Sequence, residues 1–240
     1  MAAIRLDRLT LGYDGEPAVE DANGAFAMGR STVIVGPNGS GKSTLLKAIA
    51  GRIKPLSGAV RLEGVTPRGI ACLSQEAGVD RAFPISLADF VALGFERRLG
   101  LFRALGSAGR AGLEAAIAAV GLDGLERRPI ASLSGGQFQR ALFARVIAED
   151  APVILLDEPF AGQDSRTTAD LIRVIDSWRA EGRTLLIVLH DLALARALGD
   201  ETLVMARGCL AWGPTADVLT PDHLSRAQEA STHWRLGDAA

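Results

Sequence analysis

Gly36-Pro37-Asn38-Gly39-Ser40-Gly41-Lys42-Ser43 lies between a short apolar run, Ser31 to Val35, and a segment, Ser43 to Ala50, with the composition of a helix ending at Gly51. The octapeptide fits G-x-x-x-x-G-K-S/T. Its glycines let backbone N–H groups curl around phosphate oxygens. Lys42 can reach the terminal phosphates, and Ser43 offers a hydroxyl to Mg²⁺. Thr44, the next residue, is grouped with the same site. A strand before the loop and a helix after it are what the motif requires, so the stretch predicts an α/β core built for a nucleotide. Taken alone, it leaves GTPases, kinases and many ATPases open.

Two further stretches narrow the choice. Val153-Ile154-Leu155-Leu156-Asp157-Glu158 reads as a buried strand that delivers two carboxylates at its end. Asp157 can hold the shell of a magnesium ion. Glu158 can orient or deprotonate an attacking water. Between the two motifs stands Leu133-Ser134-Gly135-Gly136-Gln137, a serine and two glycines at the start of a predicted helix. Free N–H groups at such a start hold anions. The chain therefore carries two phosphate-gripping surfaces, whereas one nucleotide has one set of phosphates.

Composition bounds the rest. The chain has 240 residues, 48% hydrophobic and 22% charged, enough for one sizeable α/β domain. The formal net charge of -2 leaves no basic excess for wrapping nucleic acid. No apolar run approaches the ~20 residues of a membrane span. The N-terminus lacks the apolar core of a signal peptide. Cys72 and Cys209 stand far apart and read as small core residues in a reducing compartment.

Periodicity divides the chain. Residues 3–33 and 57–73 look β-rich. Residues 84–149 are rich in Ala and Leu and read as helical: one helix opened by a Ser86–Asp89 capping box, a second over 111–120, and a third over 135–149. Arg97 to Arg110 reads as a solvated loop. Further on come a helix over 165–181, with Leu171, Ile172, Val174, Ile175 and Trp178 on its buried side, and a strand over 184–189. A helix from Asp191 and a hairpin over 201–212 follow. The expected organisation is an α/β core from 1–83 and 150–230, a helical insertion over 84–149, and a loosely held tail over 231–240.

In their order and spacing these motifs resemble the ATP-binding subunits of ABC transporters, and the likeness spans nearly the whole chain. That resemblance implies a P-loop NTPase (RecA-like) core with an N-terminal antiparallel β subdomain and a helical insertion. It implies ATP and Mg²⁺ as ligands, with Gly36 through Thr44 on the phosphates and Tyr13 stacked on adenine. Ser43, Gln75 and Asp157 would serve the magnesium ion, and Glu158 and His190 the hydrolysis. Ser134, Gly135, Gly136 and Gln137 would grip the ATP of a second, head-to-tail copy, and Asp164 would touch that copy in the loop after Glu158. Gln163 departs from the small or aliphatic residue usual beside it. His223 and His233 match nothing catalytic and read as surface residues.

Residues 75–95, with Val79-Asp80 … Phe83-Pro84-Ile85-Ser86 … Asp89-Phe90-Val91 … Gly94, are similar to the zinc and manganese importer ATPases. Leu99-Gly100-Leu101-Phe102 and Pro159-Phe160-Ala161-Gly162 look like the same group. The implied protein is a cytoplasmic ATPase, peripheral on the inner face of the membrane. It would pair with itself and a separate permease, and be served indirectly by an extracytoplasmic binding protein. ATPases of iron-chelate, haem or cobalamin importers, and a non-transport ABC ATPase coupled to a membrane protein, remain as alternatives.

Overall fold

The computed structural model describes residues 2–73, 80–96 and 106–237. Strand β1 (Ala2–Tyr13) pairs antiparallel with β2 (Glu16–Ala27) and with β4 (Ser57–Leu62), making a small three-stranded sheet. The larger sheet contains β3 (Ser31–Val35), β5 (Ile70–Leu73), β6 (Val153–Asp157), β7 (Thr184–Val188), β8 (Glu201–Met205) and β9 (Cys209–Pro214). Its order is β5-β6-β7-β3-β8-β9, with β9 alone antiparallel. Every residue of β3, β6 and β7 is buried. Their continuous Val, Ile and Leu runs suit parallel strands covered on both faces.

This order has a functional consequence. Strands β6, β7 and β3 are neighbours, so the segments leaving their carboxyl ends meet in one crevice. Those segments carry Asp157 with Glu158, then His190, then the loop over 36–41. The small sheet packs with helix α1 (Lys42–Ile49) on one face of the large sheet, through Leu9, Val19, Phe26, Leu45 and Leu186.

The other face receives the helical insertion: α2 (Leu87–Ala92), α3 (Ser107–Ala119) and α4 (Gly135–Glu149). Ser86 caps α2, its hydroxyl accepting the Asp89 N–H as expected. Helix α3 begins at Ser107, four residues before the expected start, so the end of the Arg97–Arg110 stretch is helical rather than looped. Gly109 and Arg110 disguised this turn, since glycine and surface charge both read as loop. Leu99 through Phe102 lie outside the described residues.

Helix α5 (Ser165–Ala180) buries Leu171, Val174, Ile175 and Trp178, while Ile172 is only half-buried. Phe143 of α4 stacks on Trp178, with ring centroids 5.8 Å apart and planes 6° from parallel. After α6 (Leu192–Leu198) and the β8–β9 hairpin come α7 (Thr215–Val218) and α8 (Pro221–Gly237). Helix α8 runs into the segment expected to be a loose tail. His223 is half-buried, not on the surface, and its Nδ1 lies 2.8 Å from the Val218 carbonyl. Cys72 and Cys209 are free and half-buried against the core, and burial pushes the Cys209 thiol up to about 11.

Candidate functional site

The glycine-rich loop is shaped by its neighbours. Gly41 has φ +91°, and a Cβ on it would sit 2.3 Å from Val19 Cγ2, so the β2 strand closes on the loop where only glycine fits. Lys42 starts α1 and turns its ammonium back over the loop, donating to the carbonyls of Gly36 at 2.9 Å and Pro37 at 2.8 Å. Burial pulls the Lys42 pKa below its ordinary value, and Glu158 and Asp157 oppose that shift. A cleft of about 670 Å³ opens here, lined by loop residues between Asn38 and Thr44 and by Ala18, Glu158 and His190. It is concave, lined largely by polar groups and headed by a helix N-terminus, which suits a polyphosphate.

Asp157 ends β6 and is 3% exposed. Burial raises its pKa, with the Ser43 hydroxyl pulling the other way by donating to Oδ1 at 3.0 Å. A desolvated carboxylate beside a hydroxyl is a hard-oxygen pair suited to Mg²⁺, a cation usually held by one or two carboxylates together with substrate phosphates.

Glu158 follows in a left-handed backbone conformation, φ +49°. Its N–H donates to the Val188 carbonyl at 3.2 Å. Its Oε1 lies 2.6 Å from Nε2 of His190, which is 45% exposed and two residues past β7. The pair stands at the wall of the cleft, where a carboxylate oriented by an imidazole can engage a water.

The pentapeptide forms the start of α4. The Ser134 hydroxyl accepts the Gln137 N–H at 3.2 Å, and Gln137 Oε1 accepts the Ser134 N–H at 3.0 Å, completing a capping box. Ser134 and Gly135 are exposed and do not line the cleft. A Cβ on Gly135 would meet nothing within 4 Å, whereas one on Gly136 would come 3.0 Å from Thr167 Oγ1 and 3.5 Å from Gln163 Oε1. Asp164 caps α5 by accepting the Thr167 N–H at 2.7 Å, a bond that holds its carboxyl below the usual range. Gln163 donates to the Ala161 carbonyl at 3.1 Å.

The structure thus brings Asn38, Gly39, Gly41, Lys42, Ser43, Thr44, Asp157, Glu158 and His190 together. Gly36 and Pro37 face an adjoining cavity of about 540 Å³, backed by α8 through Leu224 and Ala227. Ser40 is buried inside the loop. Tyr13 is 48% exposed at the end of β1 and lies apart from the cleft lining. Gln75 lies outside the described residues. One contact went unread in the sequence: Gln139 Nε2 donates to the Pro159 carbonyl at 2.7 Å. Its spacing of three from Gly136 puts it on the same helical face, but nothing local in the sequence points to Pro159.

A family model described as ABC transporter matches residues 19–161, more than half of the chain. The chain belongs to the ABC transporter family. It is an ATP-binding ATPase of that family, and its fold is that of the ABC cassettes. The manganese transport system ATP-binding protein MntB of Listeria innocua is 34% identical to this ABC ATPase over 228 residues, covering 93% of this chain and 95% of the relative. The zinc transport system ATP-binding protein TroB of Treponema pallidum is 36% identical over 229 residues, covering 94% and 86%. An inward-facing ABC transporter assigned to the metal-chelate type has a chain that aligns with a TM-score of 0.82 at 26% identity, covering 97% of this chain and 90% of that one. Among the described residues no helix is long and apolar enough to cross a membrane, and no group of three metal-ligating side chains occurs.

Proposed function

We propose that this ABC ATPase drives the import of a divalent metal, zinc or manganese, through a separate membrane permease. The observation that carries the substrate is the likeness, over more than nine-tenths of the chain, to ATPases named for manganese and zinc transport. The segment over 80–94 supports the same reading, since its residues resemble that group where a permease would dock. The metal cargo does not touch this chain.

Within the cycle, Asn38 to Thr44 bind the phosphates of ATP and Tyr13 stacks on adenine. Ser43 and Asp157 hold Mg²⁺, which supplies charge neutralisation on the phosphate oxygens. Glu158 orients and deprotonates the attacking water, with His190 holding its carboxylate. Ser134, Gly135 and Gly136 grip the ATP of a second copy. The open space at Gly135 supports this, because among the described residues nothing lies within 4 Å of a Cβ placed there. Closure then depends on the γ-phosphate bridging two chains, and hydrolysis releases them. The ATPase sits on the inner face of the membrane, against its permease, and a binding protein outside delivers the metal.

Import of an iron chelate is the second reading, supported by the metal-chelate transporter's structural likeness at 26% identity. Reconstitution of the ATPase with its permease decides between them. ATPase stimulation by a Zn²⁺- or Mn²⁺-loaded binding protein is expected. Stimulation by a siderophore-loaded carrier alone overturns the metal reading.

A further inference from the structure

One face of α4 is fixed along the segment that carries Glu158. At spacings of three, four and seven from Gly136, the residues Gln139, Arg140 and Phe143 share that face. Gly136 abuts Thr167. Gln139 donates to the Pro159 carbonyl at 2.7 Å. Arg140 Nη1 lies 3.8 Å from Asp170 Oδ2, and Phe143 stacks on Trp178. Three of these contacts reach α5, and the hydrogen bond from Gln139 reaches the turn between Asp157 and α5.

Within that turn the Gln163 N–H donates to the Phe160 carbonyl at 3.1 Å. Glu158 has a left-handed φ of +49° that a non-glycine residue adopts only when its surroundings impose it. Its N–H is anchored to Val188, and its carboxylate touches His190. Its own carbonyl accepts the Ala161 N–H at 3.1 Å, and the carbonyl one peptide further on, that of buried Pro159, is the one Gln139 grips. The proline ring fixes the φ between the two carbonyls, so holding the Pro159 carbonyl on one side and the Glu158 N–H on the other restricts the direction in which the Glu158 side chain leaves the backbone.

We propose that Gln139 is a positioning residue for Glu158 of its own chain. It ties the helix whose first turn would grip the partner's ATP to the group that would hydrolyse the chain's own ATP. The two half-sites of one chain are then mechanically joined: displacement of the α4 N-terminus pulls on the Pro159 peptide and turns Glu158. The inference rests on the proposed role of Glu158 and on the head-to-tail dimer.

The test replaces Gln139 by Glu, which keeps its size and loses the N–H donor, and by Met, which keeps its length without a polar end. Both variants are expected to lose about tenfold to a hundredfold in kcat for ATP, the scale of a small misplacement of a reacting group. KM for ATP stays within about twofold, since the cleft does not contain Gln139. Unchanged kcat in both variants, or a rise in KM and a loss of Tm alongside the loss of kcat as for a packing residue, overturns the proposal.

Mixed dimers separate the role from one exerted through the pentapeptide. Pairing a Glu158→Gln chain that also carries Gln139→Glu with a wild-type chain should retain the activity of the Glu158→Gln/wild-type pair. Placing Gln139→Glu on the chain with intact Glu158 should abolish most of it. The reverse pattern overturns positioning in the same chain. The underlying reading fails separately, if the Glu158→Gln homodimer hydrolyses ATP at the wild-type rate.

Discussion

Nε2 of His190 and Oε1 of Glu158 lie 2.6 Å apart, joined across the ends of two adjacent parallel strands, β7 and β6. Neither residue is near the other in sequence. The sheet order makes them neighbours beside the phosphate loop, which leaves the next strand over. A carboxylate restrained in this way in the lining of the cleft is suited to act as a water-activating base.

Replacing His190 by Ala removes that restraint and leaves the loop and Lys42 intact. The kcat for ATP should fall by about a hundredfold, in the range typical of a lost acid–base partner. ATP affinity measured by titration should stay within about threefold, because uniform binding is not what the imidazole supplies.

Lys42→Ala acts on binding instead. The ammonium is the cation among the residues lining the cleft, and it already donates hydrogen bonds to the loop carbonyls of Gly36 and Pro37. Its loss should weaken ATP binding by at least about a hundredfold, the order expected when a charge-assisted hydrogen bond of ~3 kcal/mol is removed. Near-normal affinity by calorimetry would sink the phosphate-loop assignment.

Asp157→Asn should show a trade between stability and function. Burial raises the Asp157 pKa, so the folded state disfavours the ionised form. A raised pKa gives stability at low pH that is lost as the pH climbs through the folded value. The amide carries no such penalty and still accepts from Ser43. In the absence of nucleotide the variant should therefore match or exceed the wild type in Tm at pH 7. That advantage should shrink as the pH is lowered and Asp157 becomes protonated. Mg²⁺-dependent ATPase activity should vanish at every pH.

Gly135→Ala probes the exposed start of α4. The backbone there is not left-handed and the added methyl meets nothing within 4 Å. Stability by denaturant titration should be unchanged or rise by up to about 1 kcal/mol, the usual gain from stiffening the unfolded chain. Hydrolysis should nevertheless fall sharply, because the methyl occupies the space that a partner's phosphate would enter.

Much of this arrangement was legible in the residues. The loop over 36–43, the acidic end of β6 and the capping serine of α4 are local patterns whose chemistry is fixed by spacing, and their elements follow. Helix α4 spans the predicted 135–149, since Ser134 caps it and Asp150 ends it in a left-handed conformation. The early start of α3 was hidden by Gly109 and Arg110, whose local preferences yield to packing. The half-burial of His223 depends on where the chain end folds back. The Gln139–Pro159 bond was illegible for the same reason: it joins residues twenty positions apart that only the packing of α4 beside the β6–α5 turn brings together.

The central claim is that one chain holds two half-sites and that ATP completes them by joining two copies. Size-exclusion chromatography with light scattering of purified Glu158→Gln, with and without ATP and Mg²⁺, tests it most directly. A monomer that becomes a dimer when ATP is added is the predicted result. A strict monomer with ATP bound would contradict the account.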